Sequence, residues 1–248
     1  MTPSIDRRAL AAALADEPGW VDTRGMLLSG RCRVLTHDVS AGYVALSPDW
    51  KVASVVGHPA RAFVLEAVGA GGAVTVVARP ASTFLRQWLP AWVQKRATLH
   101  ALSGQLPVEV TQPGVAVFQA STAPPLNHAP SDLRSELVRA LTSIAGEASD
   151  HKPVRPTPIA AAFSGGLAVS FCYPVWQTER WWDVSVDTIE GYRGQGLAVR
   201  AAAAMIAFMA ARGKRPVWGA LEDNAASLRV AAKLGFVPVD ELLVLTRV

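Results

Sequence analysis

The sequence predicts an α/β protein whose core is a mixed, largely antiparallel sheet flanked by helices. Half of its 248 residues are hydrophobic and 18% are charged, so the chain can bury a large core. Strand-like and helix-like patterns alternate along the chain, which favours helices layered against a sheet. Between residues 158 and 189 three strand patterns follow one another through short turns, which favours antiparallel pairing.

The first half of the chain predicts an additional N-terminal α/β domain over residues 1–107. Its opening segment carries acidic residues among apolar ones and is expected to be a helix, not a signal peptide. A Pro/Gly/polar zone at 103–113 favours a boundary there, followed by a second domain over 108–248. The other elements predicted for the first domain are strands at 51–57 and 73–78 and helices at 59–68 and 82–102, the last kinked or broken by Pro90.

The second half predicts the order β-α-β-β-β-α-β-α-β, with a sheet of about six strands. Gly165 and Gly166 predict a tight turn between two of these strands. Ser131 is a suitable N-cap for the first helix, and Asp223 or Asn224 for the last. The predicted strands are 115–119, 158–163, 167–176, 181–189, 217–221 and 242–248, and the predicted helices are 131–146, 196–212 and 224–234.

Composition and charge exclude several classes of function. The longest apolar run, Leu197–Ala211, contains Arg200 and is shorter than the roughly 20 residues of a membrane span. The net charge of +4 comes without a Lys/Arg run, so nucleic acid is not the expected partner. The two cysteines and five histidines lack the spacing of metal ligands. We therefore expect a cytoplasmic protein that binds a small molecule and no metal.

The segment from Asp183 to Ala198 carries the strongest chemical signal. An alternating strand leads into a loop with three glycines, and this loop becomes the first turn of an apolar helix. Glycines allow a ligand to approach the backbone closely, and the first N–H groups of a helix bind anions. Arg193 adds a full positive charge. The pattern predicts a pyrophosphate site.

Three kinds of phosphate loop are compatible with glycines in this position. A P-loop requires Gly-Lys-Ser/Thr, whereas the chain has Gly196-Leu197-Ala198. A dinucleotide fingerprint requires G-x-G-x-x-G after a βαβ strand, whereas Val199 takes the last glycine's place and the preceding strands are predicted to be antiparallel. The third pattern, R-x-x-G-x-A, is present in full at 193–198.

This third pattern resembles the pyrophosphate loop of the GNAT superfamily of N-acetyltransferases. A second resemblance to that superfamily follows one helix and one strand later, in Asn224-Ala225-Ala226-Ser227 and Lys233-Leu234-Gly235-Phe236. The predicted order of elements from about residue 108 onward also matches. The resemblance implies a GNAT-like fold for the second domain, with acetyl-CoA as co-substrate.

The resemblance also assigns roles to individual residues. It places the CoA pyrophosphate on the N–H groups of the loop and the pantetheine arm along the preceding strand. It places Asn224 and Ser227 beside the thioester or the pantetheine. It implies direct attack of an amine on the thioester carbonyl. The cofactor-binding residues implied in this way are Val186, Thr188, Ile189, Arg193, Gly194, Gln195, Gly196, Leu197, Ala198, Asn224 and Ser227.

One departure from the family concerns the acid that protonates the leaving thiolate. Many members have a tyrosine at the position of Ala231, and alanine cannot donate a proton. Ser227 or a water molecule is the predicted substitute, and Tyr173 and Tyr192 are the nearest tyrosines in sequence.

The candidate base follows from strand parity. Asp183 and Asp187 share one face of their strand, opposite Val186 and Thr188, and could attract a cationic amine and accept its proton. Glu222 and Asp223 are rival bases at the end of the next strand. Trp181 and Trp182 must point to opposite sides of their strand, one toward the core and the other toward an acceptor cleft.

The sequence thus predicts an acetyl-CoA-dependent N-acetyltransferase that acts on a primary amine of a small molecule. Its predicted catalytic residues are Asp183, Asp187 and Ser227. The alternative, motivated by Ala231, is a non-catalytic acyl-CoA-binding sensor or interaction module. A third hypothesis, that the protein binds NAD or ATP, rests on the glycine loop alone. A homodimer is compatible with the sequence.

Overall fold

One sheet of eleven strands passes through the residues that this computed structural model describes, which are 5–69, 72–104, 114–118 and 158–247. The spatial order is β1-β2-β3-β4-β11-β5-β10-β9-β8-β7-β6. The strands are β1 (Arg33–Leu35), β2 (Gly42–Ser47), β3 (Val52–Gly57), β4 (Thr75–Ala78), β5 (Val93–Leu102), β6 (Val115–Phe118), β7 (Ile159–Ser164), β8 (Leu167–Gln177), β9 (Trp181–Thr188), β10 (Arg215–Leu221) and β11 (Phe236–Thr246).

Helices flank this sheet, as the sequence predicts. Asp6 caps the first helix by accepting hydrogen bonds from the N–H groups of Arg8 and Ala9. None of the described helices is long and apolar enough to cross a membrane. They are α1 (Arg7–Ala13), α2 (Val21–Ser29), α3 (Arg61–Val68), α4 (Leu85–Trp88), α5 (Leu197–Ala210) and α6 (Ala225–Lys233), with 3-10 turns at Pro18–Trp20 and Glu190–Tyr192.

The fold class is confirmed: the sheet is mixed and largely antiparallel. Only the β3–β4 and β9–β10 pairs are parallel among the described strands. The turn between β7 and β8 has Gly165 and Gly166 at φ +57° and +80°, the two positive values that a tight hairpin turn requires. The predicted helix at 131–146 and the predicted boundary near residue 107 lie outside the described residues, so the division into two domains stays a prediction.

The helix predicted over 82–102 is wrong in its larger part. Only α4 is helical, and the chain then forms the ten-residue strand β5. Pro90 interrupts the helical spacing of apolar residues, and an alternating pattern follows in which Ala97, Leu99 and Ala101 are buried in one cluster. Pairing with β10 and β11 on both sides outweighs the helix propensity of this segment.

The final strand also differs from its prediction, because it begins at Phe236 and not at residue 242. Its register with β5 shifts between Pro238 and Asp240. A bulge of this kind interrupts the alternation of apolar and polar residues that marks a strand in a sequence.

The two halves of the chain repeat one arrangement that the sequence does not reveal. In the first half, antiparallel β1, β2 and β3 lead through α3 to β4, which is parallel to β3. In the second half, β7, β8 and β9 lead through α5 to β10 in the same way. Strand β11 then pairs with β4, and β5 pairs with β10. The second half therefore supplies the strand β11 beside β4, and the first half supplies the strand β5 beside β10.

The two faces of the C-terminal part of the sheet are covered differently. Helix α5 packs its alanines and methionines against one face, together with Trp182 and Val184. Helix α2 lies on the other face, where a Cβ at Gly25 would approach the Cβ of Trp176 to 2.6 Å. Trp181 and Trp182 do point to opposite sides, but both are buried, so the expectation that one lines an acceptor cleft is wrong.

Candidate active site

The parallel strands β9 and β10 separate partway along their length. They pair only at three positions, from Trp181 opposite Arg215 to Asp183 opposite Val217. Beyond Asp183, β9 continues to Thr188 while pairing only with β8. A cleft of about 550 Å³ lies between the separated ends and is lined by β9, β10, α6 and the start of α5. The edge of β9 that faces this cleft offers backbone groups with which no described strand pairs.

The glycine loop places the N-terminus of α5 in this cleft. Gly194 and Gly196 have φ values of +78° and +77°, which glycine adopts without strain. Gly196 is the N-cap, and the first N–H group of the helix with a backbone acceptor is that of Arg200, bonded to the Gly196 carbonyl at 3.2 Å. The preceding N–H groups are therefore available to an anion, as the sequence predicts.

Three cationic side chains line the same cleft. Arg193 is exposed, and its Nε donates to the Thr188 carbonyl at 3.3 Å, which holds the loop against the end of β9. Arg229 and Lys233 come from α6. Arg229 was not singled out in the sequence, and Lys233 was named there only as part of the second motif. Their spacing of i and i+4 places them on one helix face, which is the signal that could have found them. The charge of the cleft suits a polyanionic ligand.

Most of the predicted site residues are brought together by the structure. Gln195 belongs to the loop but does not line the cleft, and neither does Asp183. Those that line it are Asp187, Val186, Thr188, Ile189, Arg193, Gly194, Gly196, Leu197, Ala198, Asn224 and Ser227. Lining residues without a predicted role include Val184, Ser185, Tyr192, Val199, Trp218, Gly219, Ala226 and Val230.

The first turn of α6 is fixed by two hydrogen bonds. Asn224 is its N-cap, and its Oδ1 accepts from the Ser227 N–H at 3.1 Å. The Nε1–H of Trp218, on the neighbouring β10, donates to the Ser227 Oγ at 2.9 Å. Ser227 thus stands on the cleft wall with its backbone and its side chain both held in place.

The tyrosines and Ala231 occupy different environments. Ala231 is 1% exposed and belongs to the core cluster beneath α6, so it gives the cleft no side chain. Tyr192 lines the cleft. Tyr173 is buried, and its hydroxyl donates to the Asp187 Oδ2 at 2.9 Å. Asp187 is therefore a positioned carboxylate at the cleft.

Asp183 forms a pair with a residue that the sequence did not single out. Burial and the neighbouring Asp22 carboxylate raise the pKa of Asp183 well above its usual range. Burial also raises the pKa of Asp22, on α2, to about 6. In contrast, a 2.6 Å ion pair with Lys95 lowers the pKa of Asp223, which weakens that rival base. Within the described parts of the chain, no three potential metal ligands cluster.

The C-terminal part of the chain is similar to the GNAT acetyltransferases, in agreement with its fold and its cleft. Residues 160–245 match the family model described as GNAT acetyltransferase. The chain is 37% identical over 81 residues to YdfB, an uncharacterized N-acetyltransferase of Bacillus subtilis (strain 168). That alignment covers 33% of this chain and 31% of YdfB, about a third of each.

Solved structures extend the similarity of fold to nearly the whole chain. A GCN5-related N-acetyltransferase-like protein from Streptococcus suis 89/1591 has a TM-score of 0.68 at 17% identity, covering 97% of this chain and 98% of its own. A GCN5-related N-acetyltransferase from Kribbella flavida has a TM-score of 0.57 at 18% identity, covering 99% and 96%. A tandem GNAT protein from the clavulanic acid biosynthesis pathway has a TM-score of 0.53 at 18% identity, covering 97% and 92%. The first half of the chain therefore shares the fold of these proteins.

Proposed function

We propose that this protein transfers the acetyl group of acetyl-CoA to a primary amine of a small molecule. The observation that carries the proposal is the cleft between β9 and β10, into which the N-terminus of α5 opens without a side-chain capping bond. The reaction forms an amide C–N bond and breaks the thioester C–S bond. One proton leaves the amine, and one is gained by the sulfur of CoA.

The residues of the cleft fit the chemistry of acetyl-CoA. Its pyrophosphate suits the first N–H groups of α5 and the Arg193 guanidinium. Its pantetheine amides suit the unpaired edge of β9 from Val184 to Thr188, which offers backbone donors and acceptors as a sheet edge does to an added strand. Arg229 and Lys233 add positive charge for a further phosphate.

Asp187 is the carboxylate that we assign to the amine. It lines the cleft, and the Tyr173 hydroxyl holds one of its oxygens. A positioned carboxylate attracts the cationic form of an amine and accepts a proton directly or through water. Asp183 is the last residue of β9 that pairs with β10, but it does not line the cleft, and burial raises the pKa of its carboxyl. Asp187 is therefore the carboxylate that favours a cationic amine as the acceptor.

A second candidate function is binding of an acyl-CoA without catalysis. The observation that favours it is Ala231, which is buried and places no proton donor at the position where many GNAT members have a tyrosine. In this case the protein would be a sensor or an interaction module.

The experiment that separates the two functions is an assay of thiol release from acetyl-CoA. The purified protein is incubated with acetyl-CoA and, in turn, with a polyamine, an amino-sugar antibiotic and a set of amino acid amides. If the protein transfers acetyl groups, at least one amine should cause thiol release. Asp187→Asn should then lower the rate of thiol release about 100-fold or more. Asp38→Asn, at an exposed carboxylate bonded to Ser40, is the matched control and should retain the rate. Binding of acetyl-CoA without release by any amine would favour the non-catalytic function.

A further inference from the structure

We propose that Trp218 positions Ser227 so that its hydroxyl donates a hydrogen bond to the sulfur of CoA. This inference rests on the proposed function, because it concerns the same cleft. It assigns stabilisation of the leaving thiolate, without the missing tyrosine, to a pair of residues on β10 and α6.

The argument begins with the hydrogen-bonding capacity of the two groups. An indole N–H can only donate, whereas a serine hydroxyl has one proton to donate and can accept two bonds. The Trp218 Nε1–H donates to the Ser227 Oγ at 2.9 Å, so the serine oxygen is the acceptor in this contact. The serine proton must point elsewhere, and the structure gives it no acceptor among the described residues. The side of Ser227 that remains open faces the cleft.

The indole is held rigidly enough to orient the hydroxyl. Trp218 is 3% exposed, and its ring packs edge-on against Phe236 with centroids 5.5 Å apart. The bond from the Ser227 N–H to Asn224 fixes the same residue from the backbone side. A donor whose rotamer is fixed in advance loses little entropy when its acceptor arrives.

The location of Ser227 suits the role of sulfur donor. Ser227 lies one helical turn before Ala231, so the two positions are neighbours along α6. Negative charge develops on sulfur as the C–S bond breaks, and an O–H donor stabilises that charge. The indole N–H polarises the hydroxyl and strengthens its bond to the sulfur. The proton that sulfur finally gains comes from water in the cleft.

A binding experiment tests this role without knowledge of the acceptor amine. Calorimetry compares CoA with desulfo-CoA, which lacks the thiol, between pH 7 and pH 9.5. A donor at the sulfur favours the thiolate, so the preference for CoA over desulfo-CoA should rise about tenfold across this range. Ser227→Ala should abolish the rise. Trp218→Phe should reduce it, and in the Ser227→Ala background it should have no further effect.

The outcomes separate this inference from the proposed function. Failure of both CoA and desulfo-CoA to bind would overturn the proposed function. Binding of both, with a pH-dependent preference that survives in Ser227→Ala, would overturn the inference alone. Phe236→Leu keeps the Trp218 N–H but loosens the packing that orients it, and it should reduce the rise less than Trp218→Phe does.

A second measurement tests the hydrogen bond of the Trp218 indole in variants that keep Trp218. With ¹⁵N-labelled tryptophan, hydrogen exchange of the Trp218 Nε1–H should accelerate in Ser227→Ala and remain slow in Ser227→Thr, which keeps a hydroxyl. Equal exchange in both variants would contradict the proposed contact. This result does not depend on the stability of Trp218→Phe.

Discussion

Asp183 of β9 lies opposite Val217 of β10, and this is the last pair that joins the two parallel strands. The cleft opens directly beyond it. The pair therefore marks the closed end of the site, and there the Asp22 carboxylate, from the first half of the chain, helps burial to raise the pKa of Asp183. The separation of two strands, more than any single residue, makes the binding site.

The first prediction concerns the charge of Arg193. Arg193→Gln removes a guanidinium from the glycine loop and should weaken acetyl-CoA binding about tenfold, because charge-assisted bonds to phosphate are among the stronger polar contacts. Arg212→Gln removes the same charge beyond the other end of α5, where the guanidinium lies over Phe208. Calorimetry at two salt concentrations checks both. Equal loss in the two variants would mean that only the net charge matters.

The second prediction concerns Asp22 and the pH dependence of stability. The folded pKa of about 6 lies above the usual aspartate pKa of 3.8, so the folded state binds this proton more tightly than the unfolded state. The associated stability is complete below about pH 4 and is lost as the pH rises through about 6. Asp22→Asn should therefore raise the Tm at pH 8 by about 2–5 °C and leave it unchanged near pH 4.

The partner carboxylate provides the control for this prediction. Asp183→Asn removes the second charge of the pair, so the two single variants should each stabilise the protein at pH 8, and the double variant should gain less than their sum. Thermal unfolding at both pH values measures this. Strict additivity would show that the two carboxylates do not interact.

The third prediction separates the two roles of Asn224. Asn224→Ala removes the cap of α6 and should cost about 1 kcal/mol in the free energy of unfolding. Asn224→Asp keeps an oxygen for the Ser227 N–H and should preserve stability. Its negative charge lines the cleft, however, and should weaken acetyl-CoA binding. Urea titration measures the stability of both variants, and calorimetry measures their binding of acetyl-CoA. If neither substitution changed binding, the role of Asn224 would be purely structural.

The fourth prediction concerns the contact between the two halves of the chain at Arg24. This buried guanidinium forms two 2.8 Å bonds with Glu179 and also donates to the carbonyls of Ala11 and Leu14. Arg24→Met leaves these acceptors without their donor and should cost about 2–4 kcal/mol. Arg31→Met, at a 3.8 Å surface pair with Asp49, should cost less than about 1 kcal/mol. Similar urea midpoints for both variants would contradict the importance of this contact.

The C-terminal part was predictable because its signals are local. The turn at Gly165–Gly166, the glycine loop before α5 and the Asn224 cap each depend on residues close in sequence. Strand parity also placed Val186 on the face opposite Asp183 and Asp187, and in the structure Val186 packs against the cluster that contains the buried residues of α5. For the turn, the loop and the cap, the backbone conformation that a few neighbouring residues favour is enough to determine the local structure.

The rest of the structure depends on contacts between residues far apart in sequence. Strand β5 was mistaken for a helix because its partners, β10 and β11, come more than a hundred residues later. The neighbourhood of Asp22 and Asp183 depends on α2 packing across the sheet. The sequence does not indicate the bond between Trp218 and Ser227, because a tryptophan in a strand is usually predicted to be a core residue. Such pairings become visible only in the folded chain.

The most direct test of this account is the calorimetric titration of acetyl-CoA into the wild-type protein, Gly196→Trp and Gly213→Trp. Gly196 and Gly213 have φ values of +77° and +72°, and neither would bring a Cβ within 4 Å of another group. The two substitutions therefore cause similar backbone strain beside opposite ends of α5, but only Gly196 lines the cleft. We predict micromolar binding that is lost in Gly196→Trp and kept in Gly213→Trp. Absence of binding to the wild-type protein, or equal binding by all three, would contradict the assignment of the cleft to acetyl-CoA.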